Sequence, residues 1–416
     1  MKTLLVLLLT PLVGYGQQVK DPVLDGTQGE VFREVNDSVM QPVPKMKGYE
    51  FDGPWSSLKF GGGFLYEYAG FSQDEASAQQ VNMESNFKVR DFRFVMAGKL
   101  KLKNQITWKA GFMYDGQEKK WLMRESGVMF NIPKISGNIF IGRTKEGYSL
   151  SKVMNGYSIW FMERLVAIDV IPILADGIKY MGYFPKQHIF WNLGAFTDWM
   201  SEGQSFSTYN WTFVTRVAWL PIYQDMTKPV LHIGIGYRYG DVDNDVIQVR
   251  SKPEVSGSPY FVDTKPFAAT YSNSINGEVY FRSGPLTIGS EYHAHMFHTP
   301  ENGDELFTGS EVFAAYVLTG EIKPYYSSGG IFGFLNVNRS VFKGGKGAIE
   351  ALMRFTNLDL EDRLVKGGDM WRITPALNWY MSNNIKVSFQ YGFTVLNRFD
   401  LKGETNIFQS RVMLHF

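Results

Sequence analysis

Cysteine is absent from all 416 residues of the chain. Disulfide scaffolds, thiolate metal sites and cysteine nucleophiles are thereby excluded. An excess of either charge is also missing, since 42 Lys and Arg stand against 41 Asp and Glu. Nucleic-acid binders carry a marked basic surplus, so no nucleic-acid partner is expected. Beyond the N-terminus no stretch reaches the ~18 uninterrupted apolar residues that a membrane helix needs. The nearest, residues 158–175, is broken by Glu163, Arg164, Asp169 and Pro172. G-x-S-x-G, P-loop and H-E-x-x-H patterns are lacking. Neither an enzyme nor a cofactor is expected.

What is present begins with a targeting segment. Met1-Lys2 is a positive n-region, Leu4 to Val13 is apolar and broken only by Thr10 and Pro11, and Gly14-Tyr15-Gly16 supplies small residues before Gln17. Residues 1–16 read as a secretory signal peptide. Residues 17–56 carry Pro22, Pro42, Pro44 and Pro54 with no clear period. They read as an N-terminal periplasmic segment.

From Ser57 onward the dominant period is two. Ile385, Val387, Phe389, Tyr391, Phe393 and Val395 alternate with Lys386, Ser388, Gln390, Gly392 and Thr394. Successive strand side chains point to opposite faces, so such a strand is greasy on one side and polar on the other. Segments of this kind fall at 57–71, 87–102, 104–114, 119–131, 136–143, 176–184, 187–197, 210–219, 229–239, 274–282, 285–297, 307–319, 346–356, 370–381, 384–397 and 404–416. An even number of alternating strands of roughly ten residues marks a transmembrane antiparallel up-and-down β-barrel over 57–416, here with sixteen strands.

The connections agree. With both chain ends in the periplasm, Lys103-Asn104, Ser283-Gly284-Pro285 and Ser382-Asn383-Asn384 are tight periplasmic turns. The longer connections 72–86, 144–175, 198–209, 240–273 and 357–369 fall on the outer side, which is the expected asymmetry. Residues 320–345 break it, being long yet periplasmic by parity. They either plug the inner mouth or reveal a miscounted strand. A soluble β-sandwich or jelly roll also alternates. Against it stand aromatics near the ends of the greasy faces, charges in mid-strand on the polar faces, and a terminal Phe416.

Several ordered stretches resemble the phosphate-selective porin O and P family of Gram-negative outer membranes. They are Ile141-Gly142-Arg143 with Tyr148-Ser149-Leu150-Ser151 and Phe161-Met162-Glu163-Arg164; Lys252-Pro253-Glu254 with Val262-Asp263-Thr264, Gly277-Glu278, Gly284-Pro285-Leu286 and Glu291-Tyr292; Tyr316 to Glu321; and Gly347 to Glu350 with Arg354-Phe355, Leu358-Asp359-Leu360 and Asn378-Trp379-Tyr380. The resemblance implies a sixteen-stranded homotrimeric porin in outer-membrane lipid. The basic loop residues of that family's phosphate path are not matched here residue by residue.

Alternation places Lys109, Arg124, Lys179, Arg216, Arg238, Arg282, Arg354, Arg372, Lys386 and Arg411 on the lumen side. Rings of Lys and Arg select anions in pores. Glu67, Asp91, Glu125, Glu278, Glu291 and Glu350 would partly neutralise them. Loop 144–175 lies where general porins fold a loop into the lumen. Lys145, Lys152, Glu163 and Arg164 are its candidate constriction residues, or else simple anchors to the wall. Glu291, His293 and His295 share a strand face, but a wet lumen wall accommodates histidine without a metal, so no metal site is expected. The expected function is passive or weakly selective diffusion of small hydrophilic, anionic, phosphate-like solutes across a Gram-negative outer membrane. The alternative is a non-conducting barrel acting as a surface binding or assembly protein. On the diffusion reading, replacing Arg354 and Arg372 should tune selectivity and leave folding intact.

Overall fold

A computed structural model describes residues 50–102, 106–132, 136–197, 199, 209–300 and 303–416. The expected signal peptide, residues 17–49, the turn at Lys103-Asn104 and most of connection 198–209 lie outside the described residues.

Sixteen strands form one antiparallel meander: β1 Ser56–Gln73, β2 Asn86–Leu100, β3 Ile106–Asp115, β4 in two pieces Lys120–Met123 and Ser126–Ile132, β5 Gly137–Thr144, β6 Ala175–Phe184, β7 Ile189–Thr197, β8 Tyr209–Ile222, β9 Val230–Val242, β10 Tyr271–Ser283, β11 Leu286–Thr299, β12 Gly303–Val317, β13 Ala348–Asp362, β14 Val365–Tyr380, β15 Ile385–Arg398 and β16 Leu401–His415. The last strand pairs with the first, from Gly63↔His415 to Gln73↔Thr405, so the sheet closes. Closure leaves no unpaired edge in the hydrocarbon, which is why a sheet can cross a bilayer at all. A short strand Glu50–Asp52 pairs with Ser57–Lys59 ahead of the barrel.

The outward faces carry what lipid requires. Along β8, Trp211, Phe213, Val217 and Trp219 are exposed, while Thr212, Val214, Arg216 and Ala218 between them are buried. Some turns at the terminal end are very tight. Gly284-Pro285 alone joins β10 to β11, and Gly284 sits at φ +55°, a left-handed conformation that glycine adopts without a steric penalty.

One connection differs from the expectation, and one resolves between its two alternatives. Residues 357–369 are not a long loop, because β13 and β14 continue through them and turn at 363–364. The alternation does not stop there; it inverts. Leu358, Leu360 and Met370 are buried inside, packed with Val249, Phe261 and Val262, while Asn357, Asp359 and Asp369 face outward. Above the hydrocarbon band the outside is wet and the inside is dry, so the greasy side changes face. Residues 320–345 are no missing strand pair either. They fill the inner mouth, with Tyr325, Ile331 and Phe332 buried against Trp160, Tyr280 and Phe313.

Three segments thus enter the barrel: a first insert 145–174, a second insert 243–270 and a periplasmic third insert 318–347, of which 321–337 packs inside. The first and third meet mid-barrel. Lys323 Nζ donates to Ser158 O at 2.6 Å, and the Trp160 and Phe332 rings lie 5.2 Å apart.

Candidate pore constriction

The first insert is positioned by the wall. It opens with a one-turn helix, Leu150–Val153, whose start is capped by Ser149 accepting from Lys152 N–H at 3.2 Å. The next free N–H groups are those of Leu150 and Ser151. They donate to Glu278 of β10 at 2.6 Å and Glu291 of β11 at 2.7 Å. Lumen carboxylates therefore satisfy backbone groups that a buried helix start would otherwise leave unpaired. Glu146, at the base of the insert, is held at about 2. Burial raises its pKa, but the charges of Arg238 and Lys152 outweigh that.

Most of the predicted wall cations serve the same end. Arg216 donates to Glu278 at 2.7 Å and to Gly330 O at 3.1 Å. Arg238 pairs with Glu146 at 3.0 Å. Arg282 donates to Met226 O at 3.0 Å and also to Thr227 O. Arg354 pairs with Glu254 of the second insert at 2.5 Å and donates to Glu163 O at 3.1 Å. Arg372 donates to Pro253 O and to Gln409 at 2.9 Å. Lys386 reaches Ile159 O at 3.5 Å, and Lys179 reaches Thr144 Oγ1 and Lys145 O at 3.2 Å each. All of these side chains are buried. All but Arg282, which holds the β8–β9 turn, bind a segment inserted into the barrel, and the sequence pattern, which registers only a strand's polar face, contains no sign of the segment that fills it.

On the flank formed by β1–β4 the picture changes. Arg90 donates to Glu163 through Nε and Nη2 at 3.0 Å each and also pairs with Asp91. Arg93 binds Asp91 at 2.9 Å, and its guanidinium lies 4.4 Å from the centre of the Tyr157 ring. Arg411 joins Glu163 at 2.5 Å and also Glu67. Lys109 and Lys145 reach Glu125 at 3.3 and 3.5 Å. Lys145 also donates to Met154 O at 2.7 Å. Arg164 donates to Met154 O at 2.6 Å and to Ser151 O. Lys152 stays at the base, 2.7 Å from Glu146.

Gly156 permits this crowding. A β-carbon there would sit 3.1 Å from Arg93 Nη1 and 3.8 Å from Arg164 Nη2. A wall guanidinium and a loop guanidinium therefore face each other across bare backbone. Arg164 is lowered to about 10 by burial and then by the charges of Arg124 and Arg93, yet it stays protonated at neutral pH. Lys252 of the second insert is lowered to about 8 by burial and by Lys88.

Nine cations, Lys88, Arg90, Arg93, Lys109, Arg124, Lys145, Arg164, Lys252 and Arg411, act here against six carboxyls, Glu67, Asp91, Asp115, Glu125, Glu163 and Asp169. Lys88, Arg90, Arg124, Arg164 and Lys252 keep partial solvent exposure, unlike the arginines of the opposite wall. A surplus of positive charge at a place water can reach attracts anions, and low-dielectric walls focus its field.

Sequence reasoning named Arg124 and Arg164 but missed Arg90 and Arg93. Arg93 was accessible to it, lying two residues beyond the inward Asp91. Arg90 was not. The β1–β2 register shifts between Leu65↔Asp91 and Tyr66↔Val89, leaving Arg90 as an extra, bulged residue. A bulge re-aims a side chain that strict alternation would send outward. His293 and His295 are buried, bonded to Glu291 at 2.9 Å and to Ser274 at 2.8 Å. Among the described residues no group of three or more His, Asp or Glu is arranged to hold a metal.

Comparison with known proteins fits this geometry. The profile of the family described as phosphate-selective porin O and P matches residues 58–416. Porin O of Pseudomonas aeruginosa is 24% identical over 221 residues, which cover 46% of this chain and 48% of that protein. The match thus spans about half the length of this curated relative. An anion-selective porin from Comamonas acidovorans superposes with TM-score 0.56 at 12% identity, covering 87% of this chain and all of that one. OmpF of Salmonella typhi superposes at 0.58 and 10% identity, covering 88% and 100%. At such identities the solved structures speak for the fold.

Proposed function

Because the chain belongs to the phosphate-selective porin O and P family, a family of outer-membrane barrels, we propose that it is a diffusion porin for small hydrophilic anions. The observation that carries this reading is the cation cluster of the β1–β4 flank, where the buried Arg93 and the partly exposed Arg164 converge on Gly156. The three inserts pack against each other and against the opposite wall, and the partly exposed cations gather on the β1–β4 flank, so that flank is the proposed path of the solute. There Arg90, Arg124 and Arg164, partly exposed, and the buried Arg93 beside them supply the positive field that draws in phosphate or carboxylate, although most of their N–H groups are already bonded within the protein. No bond is made or broken; the wall lowers the electrostatic barrier to an anion and raises it for a cation. Conduction requires weak, multiple sites, and the interleaved Asp91, Glu125 and Glu163 moderate the grip.

Assembly as a homotrimer in outer-membrane lipid is part of this proposal. Planar-bilayer recording of the purified protein tests the function. Stepwise conductance is expected, whereas folded protein that never conducts would favour a surface binding or assembly role.

A further inference from the structure

We propose that residues 339–347 form a membrane-surface anchor that binds anionic phospholipid headgroups of the periplasmic leaflet. The third insert does not stay inside the barrel. Leu335 packs inside against Val317, Ala348 and Tyr380, and Val337 N–H donates to Asn383 at the β14–β15 turn at 2.8 Å. The chain then crosses the rim.

Trp379 fixes where it goes. Its neighbours Asn378 and Tyr380 are buried and bonded to Glu350, at 2.9 and 2.8 Å, so they point inward. Trp379 therefore points outward, one residue before β14 ends at the periplasmic rim. That is the level at which aromatic belts meet headgroups. Its indole Nε1 donates to Lys346 O at 2.9 Å, so the segment returns on the membrane side of the wall. Val341 N–H is pinned to Met381 O at 2.9 Å, and Gly344 turns the chain at φ +71°.

This pinned turn presents one large apolar side chain and three cations. Phe342 is 66% exposed, and Arg339, Lys343 and Lys346 are exposed beside it. None of the three forms an ion pair with any described residue, while most lumen cations are paired. An exposed aromatic flanked by unpaired cations at the interface matches an anionic lipid: the ring enters the acyl boundary and the cations take the phosphates. Tyr316 near the end of β12 and Leu318 just beyond it are exposed apolar side chains on the same rim, one strand further along than β13.

The test uses the full-length protein in detergent, titrated with phosphatidylglycerol and with phosphatidylcholine of the same acyl chains, and read by native mass spectrometry. Each interfacial cation contributes about fivefold to the affinity for anionic lipid. The wild type should therefore prefer phosphatidylglycerol by about tenfold or more. The combined variant Arg339→Gln, Lys343→Gln, Lys346→Gln should lose that preference, and Phe342→Ser should weaken retention of both lipids. Heat-modifiable electrophoretic mobility reports that each variant is folded. If the triple variant does not fold, raising KCl on the wild type should strip phosphatidylglycerol and spare phosphatidylcholine. Equal binding of the two lipids by the wild type, or an unchanged preference in the folded variant, overturns the proposal. Sedimentation with purified peptidoglycan sacculi that the variant loses, without any lipid preference, overturns it in favour of the cell wall.

Discussion

Arg90 and Glu163 meet through two parallel hydrogen bonds of 3.0 Å each, one partner on a bulge of the wall and the other near the far end of the first insert. The bond pins the loop, and the carboxylate offsets the cations around it. Glu163 is held well below the usual carboxylate range. Burial would raise it, but Arg90 and Arg411 dominate. Glu163→Gln should keep the loop near its place through the remaining donor contacts while removing one negative charge. Chloride-over-potassium preference should rise at low salt and change little at 1 M, where the Debye length is only ~3 Å. Reversal potentials of the variant check this.

Arg354 and Arg372 behave differently from what their place in the strand pattern suggests. Both are buried beside Glu254, whose insert they hold. Removing one partner of a buried pair costs about 3–5 kcal/mol. Arg354→Gln should therefore lower the urea midpoint and roughen the single-channel current. A selectivity change at unaltered stability would show that the residue lines water instead.

Lys252 supplies a pH dependence. Its ammonium is lowered to about 8, by burial first and then by Lys88. It therefore loses charge as pH rises through that value, while the arginines keep theirs. Anion preference should fall between pH 7 and 9, and Lys252→Gln should remove the fall. Reversal potentials across that range decide it.

Asp169, in the first insert, is raised to about 7 by burial, only partly offset by the hydrogen bond from Ser251 of the second insert at 2.7 Å. An unfolded aspartate titrates near 3.9. Between those values the folded state binds more protons, so stability falls as pH rises from about 4 to 7 and the cost is complete above 7. Asp169→Asn should remove it, adding on the order of 1 kcal/mol at pH 8, because the side chain keeps some exposure, and nothing near pH 4. Urea midpoints at the two pH values measure this.

The barrel was legible because period two is imposed along the whole wall by lipid on one side and polar contents on the other. Ile385 to Val395 shows it in the sequence and lies in β15. It became illegible where either environment changes. At Leu358 and Leu360 water replaces lipid outside and the second insert dries the inside, so the pattern inverts and resembles a loop. At Arg90 one extra residue shifts the phase. The duties of Arg216, Arg354 and Arg372 depend on carbonyls and carboxylates more than 60 residues away in the chain, and no local spacing records them.

On the proposed reading, the guanidinium groups of Arg93 and the partly exposed Arg164 around Gly156 select anions. The most direct measurement is the reversal potential of the purified protein in a low-salt KCl gradient, for the wild type and for Arg93→Gln combined with Arg164→Gln. Chloride preference is expected in the wild type, with a clear loss of it in the variant at retained conductance. Cation preference in the wild type, or an unchanged reversal potential in the conducting variant, would contradict it.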